Sequence, residues 1–290
     1  MTLKLESERA RVTINKFGAE LSSFILKETG VEYIWQADSA FWGRHAPVLF
    51  PLVGRLKDNT YSYQDKTYSM GQHGFARDML FDVIEQTNNS AILELKSNQE
   101  TLKNYPFEFR LLIGYKLEET TLTISYDVST LSDEMYFSIG GHPAFNIPLI
   151  EGTEMSDYYL HFAPLKSRIK IPLKGAYINN ACKTLAQTNT SIQLKHSLFK
   201  EDAQILETKG RNTFSILSDK HPHGVMLSYE DFPFVGFWSP NTVEAPFVCI
   251  EPWCGIADDV SSNGKIEEKI GINKLTKGDH FNKSYTIRIQ

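Results

Sequence analysis

The sequence predicts an all-β protein, a large antiparallel β-sandwich with few short helices. Three observations carry this. Tyr and Phe are abundant, 13 and 18 in 290 residues, and such side chains suit a pleated, half-buried surface. Apolar residues repeatedly alternate with polar ones over short stretches. No long stretch repeats at the helical period, so the crossovers that a parallel sheet needs are missing.

Taken along the chain, strands are expected at 3–5, 11–14, 21–26, 32–35, 80–84 and 91–95. The clearest pair follows. Residues 110–116 and 121–128 flank the polar Glu118-Glu119-Thr120, and Leu122, Ile124, Tyr126 and Val128 alternate with Thr123, Ser125 and Asp127. That is an antiparallel hairpin with one buried face. Further strands are expected at 135–139, 158–162, 213–217, 225–229, 247–251 and 285–289. A short helix is expected near 98–104, because Ser97 and Glu100 have capping-box spacing and Pro106 ends the turn. Residues 196–202 are a second short helical stretch. No linker, repeat or charge block divides the chain, so residues 1–290 read as one sandwich domain.

Composition excludes several classes. With 30 Lys and Arg against 35 Asp and Glu the net charge is −5, and no basic cluster is present to neutralise phosphates, so no nucleic-acid partner is expected. The longest apolar stretch, residues 46–54, contains two prolines and falls short of the roughly 20 residues of a membrane span. No membrane partner is expected, and no signal peptide is visible at the start. Three cysteines, Cys182, Cys249 and Cys254, form no CxxC pair; a sparse odd set fits a reduced cytoplasm. Cys249 lies in an apolar run and reads as core.

Four segments break the alternation and place polar groups beside Gly or Pro: Phe50-Pro51-Leu52-Val53-Gly54-Arg55, Gln72-His73-Gly74-Phe75-Ala76-Arg77, Ser138 through Asn146 with Gly140-Gly141-His142-Pro143 at its centre, and Ile250-Glu251-Pro252-Trp253-Cys254-Gly255. Loops on a rigid scaffold present functional groups in this way. Together they supply two His, one Glu and two Arg, a set suited to acid–base work on a sugar. Metal chemistry lacks a compact ligand motif: there is no HExxH, and His221-Pro222-His223 reads as a polar turn. Nucleophile-elbow, phosphate-loop and dinucleotide fingerprints are absent. A glycosidase would need two carboxylates. Asp202 and Glu251 are available, but nothing in the sequence pairs them.

These four segments, in this order, resemble the aldose 1-epimerase (galactose mutarotase) superfamily over essentially the whole chain. They are most similar to its short bacterial branch. The resemblance implies a β-sandwich of the galactose mutarotase type that uses neither metal nor organic cofactor. It implies Glu251 as general base, His142 as general acid and His73 as a donor near the ring oxygen, with Arg55 and Asp202 binding the sugar. The Gln-His-Gly-Phe-Ala-Arg string also resembles the glucose-6-phosphate 1-epimerases, which implies that Gln72 and Arg77 help hold a phosphorylated sugar. The implied partner is a small sugar, either a hexose or a hexose phosphate. A sugar-binding module without catalysis is the alternative from another class. In the expected starting state Glu251 is a carboxylate and His142 an imidazolium, Glu251 sits at a strand end, and Trp238 or Trp253 lies against the sugar.

Overall fold

A computed structural model describes residues 1–290, and its architecture is the expected antiparallel sandwich. One sheet has nine strands. Asp82–Gln86, Ser90–Lys96, Phe109–Glu118, Thr121–Thr130, His280–Ile289, Val225–Glu230, Arg211–Ser218, Tyr158–Ala163 and Ile192–Gln193 lie side by side in that order. The central hairpin pairs Thr121 with Glu118 and Thr130 with Phe109. Its second strand buries every other residue, as a strand with one core face must.

The second sheet has eight strands. Thr184–Ala186, Arg168–Ile171, Gln204–Glu207, Phe234–Trp238, Phe247–Cys254, Ile139–Gly141 and Val48–Leu49 follow one another, and Ala144–Asn146 also pairs with Phe247–Cys254. The sheets meet through aromatic rings. Phe237 packs edge-on against Phe162 at 5.8 Å and Phe214 at 5.3 Å, geometries that add about 0.5–1.5 kcal/mol each beyond the area they bury.

Phe247–Cys254 is buried at all eight positions. Val248, Ile250 and Cys254 join the main core. Phe247, Cys249 and Trp253 point the other way, into two smaller apolar clusters on the outer face. Because both faces are covered, the strand reads as a continuous apolar run rather than an alternating one.

Several expectations are corrected. Residues 32–35 form isolated bridges rather than a strand, because the Glu32 carboxylate takes the N–H groups of Phe24 and Ile34 at 2.8 and 2.9 Å. The strand expected at 80–84 runs from Asp82 to Gln86, since Leu80 bridges Phe17 outside it. Residues 135–139 split between two sheets. Glu134–Phe137 pairs with Asn273–Thr276, and Ile139–Gly141 enters the eight-stranded sheet. The helix Gln99–Asn104 is capped by Asn98 and Thr101, one residue later than the Ser97 spacing implied. At 196–202 only His196–Phe199 forms a 3-10 turn. No helix is long and apolar enough to cross a membrane.

One buried ion pair ties the segment after Phe247–Cys254 to the segment carrying Arg55. Lys269 Nζ donates to Asp258 Oδ1 at 3.0 Å and to the Ile256 carbonyl at 2.6 Å. Asp258 Oδ2 accepts the Lys57 N–H at 2.9 Å, and the Asp258 N–H donates to the Arg55 carbonyl at 2.9 Å. Lys269→Met would strand a buried carboxylate, for which about 3–5 kcal/mol is expected. Urea unfolding with an unchanged slope measures it; a loss below about 1 kcal/mol, typical of exposed pairs, would show that water screens this one.

Candidate active site

The outer face of the eight-stranded sheet carries a pocket of about 340 Å³. All seven residues singled out by sequence line it: Arg55, Gln72, His73, Arg77, His142, Asp202 and Glu251. Trp238 and Trp253 line it together.

Glu251 lies in mid-strand, opposite Gly236, which corrects the expected strand-end position. The chain beside it is interrupted. Ala144–Asn146 pairs with residues 247–249, and Ile139–Gly140 pairs with 253–254. His142 and Pro143 occupy the gap. The Ile250 N–H still reaches the Pro143 carbonyl at 3.3 Å. Two residues on, Pro252 has no N–H to donate on that side, so the broken ladder leaves no donor unpaired. Gly236 leaves room for the Trp253 ring, which a Cβ would meet at 2.6 Å.

His142 Nε2 lies 3.2 Å from Glu251 Oε2, both groups almost fully buried. Trp42 stacks on the His142 ring at 4.8 Å, and Trp238 meets it edge-on at 5.5 Å. Burial holds the Glu251 carboxyl well above the usual carboxylate range, and the Asp202 charge pushes it further. Burial likewise lowers His142, to about 3, with Arg77 and Arg44 acting the same way. Burial thus works against the expected carboxylate and imidazolium: a dry site favours a carboxylic acid beside a neutral imidazole. The two descriptions hold the same single proton and the same net charge.

His73 comes from a loop docked on its neighbour. Its N–H donates to the Gly54 carbonyl at 2.9 Å, and the Gly54 N–H donates to His73 Nδ1 at 3.1 Å. Its Nε2 faces the Gln72 side-chain nitrogen at 3.3 Å. Burial first, then His142 and the nearby arginines, keep this ring neutral. His73 has φ of +66°, a strained conformation for a non-glycine residue.

The arginines gather at one side. Arg55 Nη2 donates to Gln72 Oε1 at 3.0 Å, and Arg77 Nη2 donates to the Gln72 carbonyl at 2.7 Å. Arg44 and Arg77 share Asp78, at 2.8 and 3.7 Å. Arg55 Nε and Arg77 Nε are buried without a hydrogen-bond partner. Asp202 sits at φ +71° and caps its own turn through Ala203 N–H at 2.8 Å.

Other sequence candidates stay outside. His221 and His223 meet the Tyr158 and Tyr33 hydroxyls at 2.9 and 3.0 Å and do not line the pocket. Cys249 is core as expected, and burial with the adjacent Glu251 pushes its thiol far above the usual range. Sequence reasoning missed Trp42, Asn241, Leu173 and Ala176. Trp42 lies between Phe41 and Gly43 in an irregular loop; the glycine and the aromatic ring were its only marks.

A mutarotase-type sandwich with a buried Glu–His pair defines a class, and comparison with known proteins agrees. The family model described as aldose 1-epimerase matches residues 1–267. The chain belongs to this family. It is 33% identical to the chromosomal protein LacX of Lactococcus lactis subsp. lactis, over all of this chain and 99% of that one. A galactose mutarotase related enzyme from Lactobacillus acidophilus superposes with a TM-score of 0.99 at 42% identity, covering 100% of this chain and 97% of its own. A galactose mutarotase-like protein from Lactobacillus casei ATCC 334 gives 0.92 at 33%, with both chains fully covered.

Gly54, at φ +75°, lies against Ala257, whose backbone N a Cβ would meet at 2.7 Å. Gly54→Ala should therefore cost about 1–3 kcal/mol and displace His73 and Arg55 together. Denaturant melts and sugar affinity check it; unchanged affinity would show that the loop tolerates the shift.

Proposed function

We propose that the pocket interconverts the α and β anomers of a hexose by opening and closing its ring. The observation that carries this reading is the approach of His142 Nε2 to Glu251 Oε2, 3.2 Å, in a pocket that His73 also lines. With the pair's proton on His142, Glu251 takes the proton of the C1 hydroxyl while His142 gives a proton to the ring oxygen. The C1–O5 bond breaks, and its electron pair stays on O5. An aldehyde forms at C1. Rotation about C1–C2 and closure on the other face reverse both transfers. The pair ends with the proton count it began with.

Glu251→Gln keeps the shape and removes the base. It should lower kcat by about 10²- to 10⁴-fold, with a smaller effect on KM, and His142→Asn should match it. The double variant should be little worse than the poorer single, since the two act as a unit. Polarimetry on fresh α-glucose or α-galactose is the measurement. A folded Glu251→Gln protein with near-normal mutarotation would leave a binding module or another base.

The directions of the two pKa shifts set the pH profile. A second proton must make a buried imidazolium, so the acid limb falls below the usual His value of about 6.5. Loss of the shared proton must make a buried carboxylate beside Asp202, so the alkaline limb rises above the usual Glu value of about 4.3. The expected kcat/KM profile is a broad plateau with two macroscopic limits belonging to the pair. An acid limb above about 6.5, or an alkaline limb below about 4.3, would overturn the two shift directions.

A hexose 6-phosphate is the second reading. Arg55 and Arg77 both line the pocket and Arg55 Nε has no hydrogen-bond partner, which favours it, because guanidinium suits phosphate. If it holds, Arg77→Ala raises KM for a hexose 6-phosphate far more than for the free hexose. Equal effects would favour the free sugar.

A further inference from the structure

We propose that His142, Cys249 and Glu251 form a binding site for a borderline or soft divalent cation, such as Zn²⁺ or Cd²⁺, which inhibits the enzyme rather than serving it. The inhibition rests on the function proposed above; the binding does not. One nitrogen, one sulfur and one oxygen lie within 4.8 Å of one another, and all three residues are buried. Cys249 and Glu251 are two apart on one strand and so face the same way. His142 reaches them from the gap in the neighbouring chain.

One ligand atom points to a missing partner. Glu251 Oε2 makes no well-formed hydrogen bond, although its residue is only 1% exposed. The donor set selects the ion. Thiolate and imidazole suit Zn²⁺ and its softer neighbours, whereas Mg²⁺ and Ca²⁺ require oxygen shells. A four-coordinate Zn²⁺ with bonds of about 2.0–2.3 Å places its ligand atoms roughly 3.3–3.8 Å apart. The His142–Glu251 separation of 3.2 Å already matches, so the thiol has only about 1 Å to approach. His142 and Glu251 line the pocket, so the fourth position opens on the space where a sugar would sit. Binding sends to solvent both the thiol proton and the one proton held by the Glu251–His142 pair. The bound ion then occupies the lone pairs that would accept and donate protons in turnover.

No compact ligand motif shows this in the sequence, because His142 lies far upstream of Cys249 and Glu251. The test uses the whole, chelator-treated protein. Its mutarotation rate should be undiminished; loss of rate restored by adding the ion would overturn an inhibitory role. Added Zn²⁺ should inhibit in competition with the sugar. Cys249→Ser should keep turnover and weaken the inhibition by at least the roughly 10- to 100-fold that losing a supporting contact costs, with Cys249→Ala as a second variant should Ser disturb folding. Co²⁺ supplies a readout independent of activity. Wild type should show a sulfur-to-cobalt charge-transfer band, and Cys249→Ser should not. Equal Zn²⁺ inhibition of wild type and variant, or bound Co²⁺ without that band, would overturn the site. A cobalt–thiolate band in a protein that catalyses no mutarotation would sink the proposed function and leave the site standing.

Discussion

One carboxyl in the middle of a strand covered on both faces governs the rest of the molecule's outer face. Phe247–Cys254 sends its even-numbered side chains into the sandwich and its odd-numbered ones into the second layer. Glu251 falls in the odd register between Cys249 and Trp253. An isolated ionised carboxylate there would cost several kcal/mol of desolvation, so the position demands a proton or a partner. His142 supplies both. To bring it there, the neighbouring chain must leave its ladder between Gly141 and Ala144, and Pro252 removes the donor that the break would orphan.

The framework around the pair answers the need for rigidity. Trp42 and Trp238 fix the plane of the His142 ring. Trp42 is in turn held by its carbonyl, which accepts the Trp35 indole N–H at 2.8 Å, and by its own N–H on Asp38 O at 2.9 Å. The Gly54 loop holds His73 by two reciprocal hydrogen bonds and forces it into a left-handed conformation. Strain of that kind, on the order of 1–3 kcal/mol, persists only where the surroundings over-determine it. The Lys269–Asp258 pair supplies part of that determination by pinning the Arg55 carbonyl.

How much of this is legible in sequence depends on which physical signal each part leaves. The hairpin around Glu119 was read correctly because one face meets the core and the other water, so Leu122 to Val128 alternate. Phe234–Trp238 and Ala144–Asn146 were missed because their surroundings are apolar on both sides and no alternation remains. Residues 32–35 looked like a strand, but a carboxylate took over the hydrogen bonds of the ladder. That substitution has no periodic signature. The pocket-lining candidates stood out because Gly and Pro mark the places where the chain departs from regular pairing: His73 before Gly74, His142 before Pro143, Glu251 before Pro252. Trp42 also precedes a glycine, Gly43, but it carries no ionisable group and follows no apolar strand-like run, so it was passed over. The direction in which burial shifts the pair escaped for another reason. Reference pKa values describe solvated groups, and the apolar run before Glu251 was read as a strand ending there rather than as one covered on both faces.

The proposed reaction explains why an acid and a base should stand so close that they neutralise each other. The two oxygens that exchange protons in anomer conversion, the C1 hydroxyl and the ring oxygen, are bonded to the same carbon. Any acid and base that serve both at once must therefore be near neighbours. In water such a pair could remain ionised. In a pocket dry enough to strengthen its hydrogen bonds it collapses to the uncharged tautomer. A sugar entering the pocket brings hydroxyls that replace the lost solvent on both partners, and this favours the charge-separated form only when the reacting oxygens are in place. Burial thus couples activation of the pair to occupancy of the site. Because opening and closure use the pair in opposite senses, neither anomer is favoured by the protein, and the equilibrium remains that of the free sugar.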